Sequence, residues 1–193
     1  MGGRGASSSG GSAFGKRGKV NTPNEAVINT NPNYNKGREY RINCQRCVYA
    51  YELRRRGYDV EALPHTMKQN DPMMSSMSMW GHGFVGQRWE EKLGKRNKEV
   101  EQNIISKMQQ WGDGARAIVY VAWKRGNDAH VFNIENHKGK VVAFDAQRGI
   151  QLKLNDYISK SKPSATKVSR VDNLKPNNKV MHYAVKKKGR NRK

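Results

Sequence analysis

The segment Asn43–Pro64, NCQRCVYAYELRRRGYDVEALP, contains the only two cysteines of a chain of 193 residues. It predicts a helix from Cys44 to Arg56, because small and apolar side chains recur at spacings of three and four residues. Asn43 is a favourable N-cap, and Gly57 is a residue type that readily ends a helix. The three consecutive arginines before Gly57 are expected on a solvated face. The recurring side chains are Cys44, Cys47, Val48 and Tyr51.

The two thiols of this helix allow four interpretations that the pattern leaves open. A C-x-x-C pair is a redox motif in a thioredoxin-like βαβ unit, and it supplies half of a zinc site when further ligands lie at suitable spacing. Two thiols can also be plain core residues. Finally, a thiol at a helix N-terminus is a candidate nucleophile, because the helix dipole lowers its pKa. The chain has no second C-x-x-C, and its histidines are scattered: His65, His82, His130, His137 and His182.

Three runs rich in Val, Ile, Phe and Tyr lie in the second half of the chain and predict β-strands. Short turn segments separate them, which favours an antiparallel meander. Because the cysteine helix precedes these strands, the order of elements predicts an α+β fold. The three runs are 115–123, 129–136 and 140–147.

The remaining segments carry weaker patterns. Residues 21–42 are rich in Asn and Pro and are interpreted as an ordered loop. Residues 67–84 hold five of the eight methionines without a clear period, which predicts an irregular loop with adaptable apolar contacts. Residues 89–111 are expected to form one amphipathic helix. A short helix is expected within 150–160, and a last strand at 180–186.

The second predicted hairpin brings together two side chains with catalytic chemistry. A loop centred on Lys138 places His130 opposite Asp145, Ala146 or Gln147, with an uncertainty of one register step. His130 begins its strand and Asp145 ends the next, so both are expected at the same rim of the sheet. A carboxylate there can fix the tautomer of the imidazole and leave its other nitrogen free to act as a base. Together with a thiol at a helix start, this is the layout of a nucleophile, a base and an orienting group.

The formal net charge of +21 lies partly at the two ends of the chain. The first 19 residues carry four basic groups and the last eight carry six, without an acidic residue. The rest still contains 27 basic against 16 acidic residues. Such a surface attracts nucleic acid or another acidic partner. A basic nucleic-acid-binding protein of a mobile element, with both thiols in its core, is therefore the alternative to an enzyme.

The composition also predicts the organisation of the chain. Residues 1–20 are expected to be a flexible Gly/Ser leader, residues 21–185 a single catalytic domain, and residues 186–193 a basic tail that binds polyanions non-specifically. No apolar run approaches the roughly 20 residues that span a bilayer, so no membrane association is expected. The N-terminus lacks the apolar core of a secretory signal, and the chain is therefore expected to be made in the cytoplasm.

Two segments together resemble the papain-fold toxin family of glutamine deamidases. In that family an N-C-x-x-C-like helix start runs into an R-x-R-G-Y-D-V stretch, as in residues 43–60. An H-V-F-x-x-E segment and a D-x-Q segment follow on adjacent strands, as in HVFNIENHKGKVVAFDAQRG, residues 130–149. The resemblance covers roughly residues 30–150 and consists of several motifs in the same order. It implies a papain-like cysteine-hydrolase fold, in which an N-terminal helix carrying the nucleophile packs on an antiparallel sheet.

The resemblance also implies roles for individual residues. A cysteine within 44–47 is the expected nucleophile, His130 the general base and Asp145 its orienting group. Cys44 is favoured because it lies nearest the helix N-terminus, with Cys47 packed beneath it. The opposite assignment stays open, since papain uses the second cysteine of a C-x-x-C segment. Two further residues are expected to support the site or its oxyanion, with no metal and no cofactor: Asn43 and Gln147.

The implied activity is deamidation of a protein glutamine to glutamate by a bacterial toxin or effector, such as those of polymorphic toxins and mobile elements. The same triad could instead cleave a peptide bond or transfer the acyl group to an amine, and the sequence leaves these outcomes open. The expected partners are a protein substrate with a reactive glutamine and an immunity protein. Action after delivery into a target cell is also expected.

Overall fold

The structure, a computed structural model, describes residues 14–68, 70–73 and 77–188. Residues 1–13 of the predicted leader, residues 189–193 of the predicted tail and four positions of the predicted loop 67–84 lie outside these ranges. The helices are α1 Pro23–Thr30, α2 Cys44–Arg55, α3 Met77–Trp80, α4 Asn97–Trp111, α5 Leu154–Ile158 and α6 Asn178–Ala184. The strands are β1 Val60–Ala62, β2 Arg116–Ala122, β3 Ala129–His137, β4 Lys140–Asp145, β5 Ile150–Leu152, β6 Lys167–Arg170 and β7 Val185–Lys187.

Five strands form one antiparallel sheet in the order β5-β4-β3-β2-β6, and β1 pairs with β7 in a separate two-stranded ribbon. The three central strands are the three runs predicted from the sequence, so the predicted meander and the α+β class are confirmed. Helix α2 covers one face of the sheet, where Val131 and Phe144 pack. Helices α4 and α5 cover the other face, where Phe132 and Ile134 pack. Successive residues of β3 therefore face opposite layers, as the pleat of a strand requires.

Helix α2 is buried nearly all round, since ten of its twelve residues are buried. It lies between the large sheet on one side and α1, β1 and α6 on the others. The prediction of a solvated arginine face is therefore wrong, since a buried or half-buried guanidinium has to pair with a carboxylate. Each of the three arginines forms an ion pair: Arg54–Asp59 at 3.1 Å, Arg55–Glu135 at 2.6 Å and Arg56–Glu52 at 2.7 Å.

The end of α2 depends on Gly57, as the sequence predicts. Its φ of +89° is in the left-handed region that favours glycine, and an added Cβ would lie 2.6 Å from the Gly18 carbonyl oxygen. Residues 14–20 run alongside this end of the helix. Phe14 is buried there, with its ring edge against Tyr58 at 4.6 Å. The domain boundaries at residues 20 and 185 stay predictions.

The helix predicted at 89–111 is shorter than expected and begins only at Asn97. Glu90 instead forms an antiparallel bridge with Val168 of β6, which holds the segment before α4 extended. Gly94 lies between this extended segment and α4. A side chain does not fit at this position, because an added Cβ would lie 2.7 Å from the Cβ of Glu99. The periodic pattern is therefore helical only after this glycine.

Two other segments differ from expectation, and a third agrees with it. The last strand predicted at 180–186 is wrong for most of its length: α6 occupies 178–184, because Asn177 caps it through Lys179 N–H and its buried face packs on α2. Only Val185–Lys187 is a strand. The loop at 21–42 contains α1. The short helix at 150–160 is present as α5, preceded by the edge strand β5.

Glu135 provides a test of how α2 is held on the sheet. Its side chain is 1% exposed, contacts Arg55 through two hydrogen bonds of 2.6 and 3.0 Å, and accepts the Tyr51 hydroxyl at 2.7 Å. We expect Glu135→Ala to lower the free energy of unfolding by about 3–5 kcal/mol, because it leaves the Arg55 guanidinium without its buried partner. Urea titration followed by circular dichroism at pH 7 measures this loss.

The matched control is Glu91→Ala, which removes a half-exposed carboxylate paired with Lys167 on the surface. We expect a much smaller loss from this variant than from Glu135→Ala, because water screens exposed pairs. Equal losses in the two variants would contradict the structural role assigned to Glu135.

Candidate active site

Cys44, His130 and Asp145 meet at one end of the large sheet, where α2 and β3 begin and β4 ends. His130 Nε2 lies 3.2 Å from Asp145 Oδ2. Continuing the register of β3 and β4 puts Phe132 opposite Asp145, so His130 is the diagonal neighbour of the carboxylate on the same face. The Cys44 thiol, at the first residue of α2, lies near enough to the same imidazole to raise its pKa. The structure therefore brings together all three predicted side chains, while their catalytic roles remain predictions.

Asp145 is fully buried and its oxygens are well supplied with donors. Oδ2 accepts the Tyr157 hydroxyl at 2.6 Å in addition to His130, and Oδ1 accepts the N–H groups of Gln147 at 3.0 Å and Arg148 at 3.3 Å. Burial raises the pKa of the carboxyl, but the hydrogen bond and charge of His130, together with the other donors, lower it overall. Asp145 is therefore held as a carboxylate that can orient the imidazole.

His130 is buried between aromatic rings and is held in its charged form. Trp123 stacks on it at 6.1 Å with an interplanar angle of 18°, and Tyr157 lies edge-on at 5.5 Å. Burial lowers the pKa of this histidine, but the hydrogen bonds to Asp145 and Cys44 and the charges of both groups raise it to about 10. With Nε2 turned to Asp145, Nδ1 is left for the thiol. The arrangement suits an imidazolium oriented by a carboxylate and placed beside a candidate thiol nucleophile.

The two cysteines occupy different environments, and both are free thiols. Cys44 is 9% exposed, with Sγ 3.5 Å from Gln45 Oε1. Cys47 is 1% exposed and donates to Asn43 Oδ1 at 3.3 Å. Burial, the charge of Cys44 and the charge of Asp145 raise the pKa of the Cys47 thiol well above its usual value. The geometry therefore favours Cys44 as the nucleophile over Cys47.

Asn43 occupies the N-cap position, but the expected side-chain cap is absent. Its backbone has φ −108° and ψ 28° instead of the extended conformation of a capping residue, which turns the side chain inward. There the amide donates to the Leu63 carbonyl at 3.0 Å and accepts the Cys47 thiol. The Asn43 side chain therefore supports the buried cysteine and leaves the first-turn N–H groups of α2 to other partners.

Gln147 supports the site mainly through its backbone. Its N–H donates to Asp145, and its carbonyl accepts the Asn31 side chain at 2.8 Å. The same Asn31 amide donates to the Tyr40 carbonyl at 2.8 Å and lies 3.4 Å from Asn43. This asparagine, which follows α1, thus joins the end of β4 to the start of α2.

A cavity of about 740 Å³ opens beside the imidazole. It lies on the face of the sheet that α5 covers, and Cys44 is not part of its lining. The thiol comes instead from the helix on the opposite face, so His130 stands between the cavity and the thiol. The lining residues are Trp123, Lys124, Arg125, His130, Asp145, Gln147, Arg148, Tyr157, Ser159 and Lys160.

Comparison with known families gives a match to the model of papain fold toxin 1, glutamine deamidase, over residues 42–150. The chain belongs to this family. Its α+β structure is accordingly papain-like, with the cysteine helix packed on an antiparallel sheet as the sequence predicts. Comparison with curated proteins gives no match.

Solved structures with a similar fold include two variants of the Salmonella effector SpvD. One is 15% identical, with 80% of each chain covered and a TM-score of 0.46. The other is 18% identical, with 72% of this chain and 77% of that chain covered and a TM-score of 0.40.

Within ranges 14–68, 70–73 and 77–188 no group of three or more His, Cys, Asp or Glu side chains could hold a metal ion. No helix in those ranges has the length and apolar character needed to cross a bilayer.

Sequence reasoning missed two residues of this deamidase-family site. Tyr157, on α5, donates to Asp145, and Trp123, just after β2, stacks on His130. Neither lies in the motifs that carry the resemblance, and α5 reaches the site only because β5 returns along β4. The short helix expected within 150–160 includes Tyr157, but the sequence did not indicate which way the Tyr157 side chain faces.

The raised pKa of His130 gives a pH-dependent prediction. We expect the His130 ring to titrate near pH 10 by NMR, well above the ordinary value of 6.5, and Asp145→Asn to lower that pKa. The stability that protonated His130 contributes is full below pH 6.5, the unfolded value, and is lost as the pH rises towards 10. The stability advantage of the wild type over Asp145→Asn should shrink over the same interval. Titration of His130 at or below pH 6.5 would overturn this assignment.

The different environments of the two thiols predict selective alkylation. Brief treatment of the native protein with iodoacetamide should modify Cys44 first, because Cys47 is fully buried and its pKa is raised. Peptide mass spectrometry after digestion identifies the modified residue. The control is the same treatment in urea, where both thiols should react; faster labelling of Cys47 in the native protein would contradict the prediction.

Proposed function

We propose that this protein is a thiol-dependent deamidase that converts a glutamine side chain of a target protein into glutamate. The observation that carries the proposal is the convergence of Cys44 on the hydrogen-bonded pair His130–Asp145 at one rim of the sheet, in a chain of the glutamine deamidase family. The toxin description of that family supports action inside a target cell, with an immunity protein protecting the producer.

The first half-reaction forms a thioester. The Cys44 thiolate attacks the carbon of the glutamine carboxamide, and the tetrahedral oxyanion accepts backbone N–H groups at the start of α2. When the C–N bond breaks, the His130 imidazolium gives its proton to the departing nitrogen, which leaves as ammonia. Asp145 keeps the ring oriented through Nε2, and Tyr157 keeps Asp145 in place.

The second half-reaction releases the product. Neutral His130 takes a proton from water, whose oxygen attacks the thioester carbon. The C–S bond then breaks, the Cys44 thiolate is restored, and the side chain leaves as glutamate. His130 ends protonated, and the carboxylic acid formed loses its own proton to solvent, so the site returns to its starting state.

The proposal predicts different outcomes for four variants in a target-cell lysate. Cys44→Ala and His130→Ala should abolish the conversion of glutamine to glutamate, a mass increase of about 1 Da, because they remove the nucleophile and the proton carrier. Cys47→Ala should keep activity within roughly tenfold, because this thiol packs beneath the site. Tyr157→Phe should lower kcat about tenfold, since the carboxylate loses one donor. Quantitative peptide mass spectrometry measures all four.

The same experiment separates the competing activities. New peptide termini would show a protease, and amines joined to glutamine would show a transglutaminase. Activity that needs Cys47 and survives Cys44→Ala would reverse the assignment of the nucleophile. The absence of any covalent change under reducing conditions would count against an enzyme and favour the basic nucleic-acid-binding alternative.

A further inference from the structure

The cavity beside His130 is lined by the proposed base and not by the proposed nucleophile. It contacts His130, Asp145 and Gln147, but Cys44 does not line it. Its volume of about 740 Å³ is large enough for several amino-acid residues, since pockets of 300–1,000 Å³ enclose drug-sized ligands. A protein substrate whose glutamine reaches Cys44 can therefore place a neighbouring segment in this cavity.

The charge of the lining is strongly one-sided. Four exposed cations surround the cavity, and the single carboxylate of the lining, Asp145, is already occupied by His130, Tyr157 and two backbone N–H groups. Within the part of the chain that the structure describes, none of the four forms an ion pair with a carboxylate. The arginines of α2, in contrast, are all paired. The four cations are Lys124, Arg125, Arg148 and Lys160.

The segments that carry these cations are joined to one another and to the site. Lys124 N–H donates to the Lys160 carbonyl at 3.0 Å, and Lys124 Nζ donates to the Ser159 carbonyl at 2.8 Å. Arg148 Nη1 donates to the Tyr157 hydroxyl at 3.3 Å. Arg148 is therefore held by Tyr157, which also supports Asp145, and Lys124 is held by the residues that directly follow α5. Both cations lie in the lining of the cavity beside His130.

We propose that this cavity binds an acidic segment of the substrate protein next to the glutamine that is deamidated. The inference rests on the proposed function and names its substrate class. Nucleic acid is disfavoured as the occupant, because the ring faces that bases would stack on are already in use. Trp123 stacks on His130, and Tyr157 packs edge-on against both rings.

Binding tests the inference without depending on catalysis. The probe is a fluorescent peptide with one glutamine between four acidic residues, measured by anisotropy with Cys44→Ala protein at physiological salt. The pocket variant is Lys124→Glu with Arg125→Glu. The control is Lys138→Glu with Lys140→Glu, which makes the same change in net charge at the opposite end of β3 and β4.

We expect the pocket variant to bind the acidic peptide at least tenfold more weakly, and the control to change affinity less than about threefold, because exposed charges beyond a Debye length are screened. A peptide with serine in place of the acidic residues should bind poorly to all forms. Equal losses in the pocket variant and the control would overturn the inference, since they would show attraction by net charge alone. Tighter binding of a single-stranded oligonucleotide, lost in the pocket variant only, would assign the cavity to nucleic acid.

Ammonia release by the wild-type protein separates this inference from the proposed function. We expect kcat/KM to be about tenfold higher for the acidic peptide than for the serine peptide, and the pocket variant to remove the difference. Equal rates for the two peptides would reject the acidic segment and leave the deamidase intact. Pocket-dependent binding without ammonia from either peptide would instead reject the deamidase.

Discussion

The ion pair between Arg55 and Glu135 determines how helix α2 lies on strand β3, and the site depends on that alignment. Eleven residue steps separate Cys44 from Arg55, which is about 16 Å of helix. Five steps separate His130 from Glu135, which is about 16 Å of strand. The two elements run in the same direction, so fixing Arg55 on Glu135 at one end brings Cys44 to His130 at the other. A buried pair contributes little net stability, but it is costly to break, and this makes it suited to fixing a register.

Much of the fold and most of the site could be predicted from the sequence because both depend on local signals. The cysteine helix shows a helical period and a glycine stop, and the hairpin shows β-rich runs around a tight turn. Once the turn is placed at Lys138 and Gly139, the pleat alone puts His130 and Asp145 at one rim. The sequence left the register uncertain by one residue. In the structure His130 contacts Asp145 diagonally across the two strands.

The elements that were missed depend on tertiary contacts or on signals that were not used. Helix α1 carried a readable signal, since Thr22 and Glu25 form a capping box with proline at the start of the helix. The sequence of α6 fits a strand as well as a helix, and its packing on α2 together with the Asn177 cap decides for the helix. The solvated arginine face was wrong because three adjacent cations look exposed in sequence. Two of their acidic partners, Glu52 and Asp59, lie within five residues of the arginine they pair with, and only Glu135 is distant in sequence, so the burial of α2 was the missing information.

The 37 basic residues of this chain differ in burial, and burial decides whether their charge is neutralised within the fold or available to a ligand. Where an arginine is buried, as in α2, it requires a carboxylate, and its charge is neutralised within the fold. Where a cation lies at the rim of the cavity, as Lys124 and Arg148 do, no carboxylate of the described residues pairs with it, and its charge is available to a ligand. A net charge of +21 by itself predicts only attraction to polyanions. Because the cations of α2 are paired and those of the cavity are not, the attraction is concentrated at the cavity. This positive surface contacts His130 and does not include Cys44.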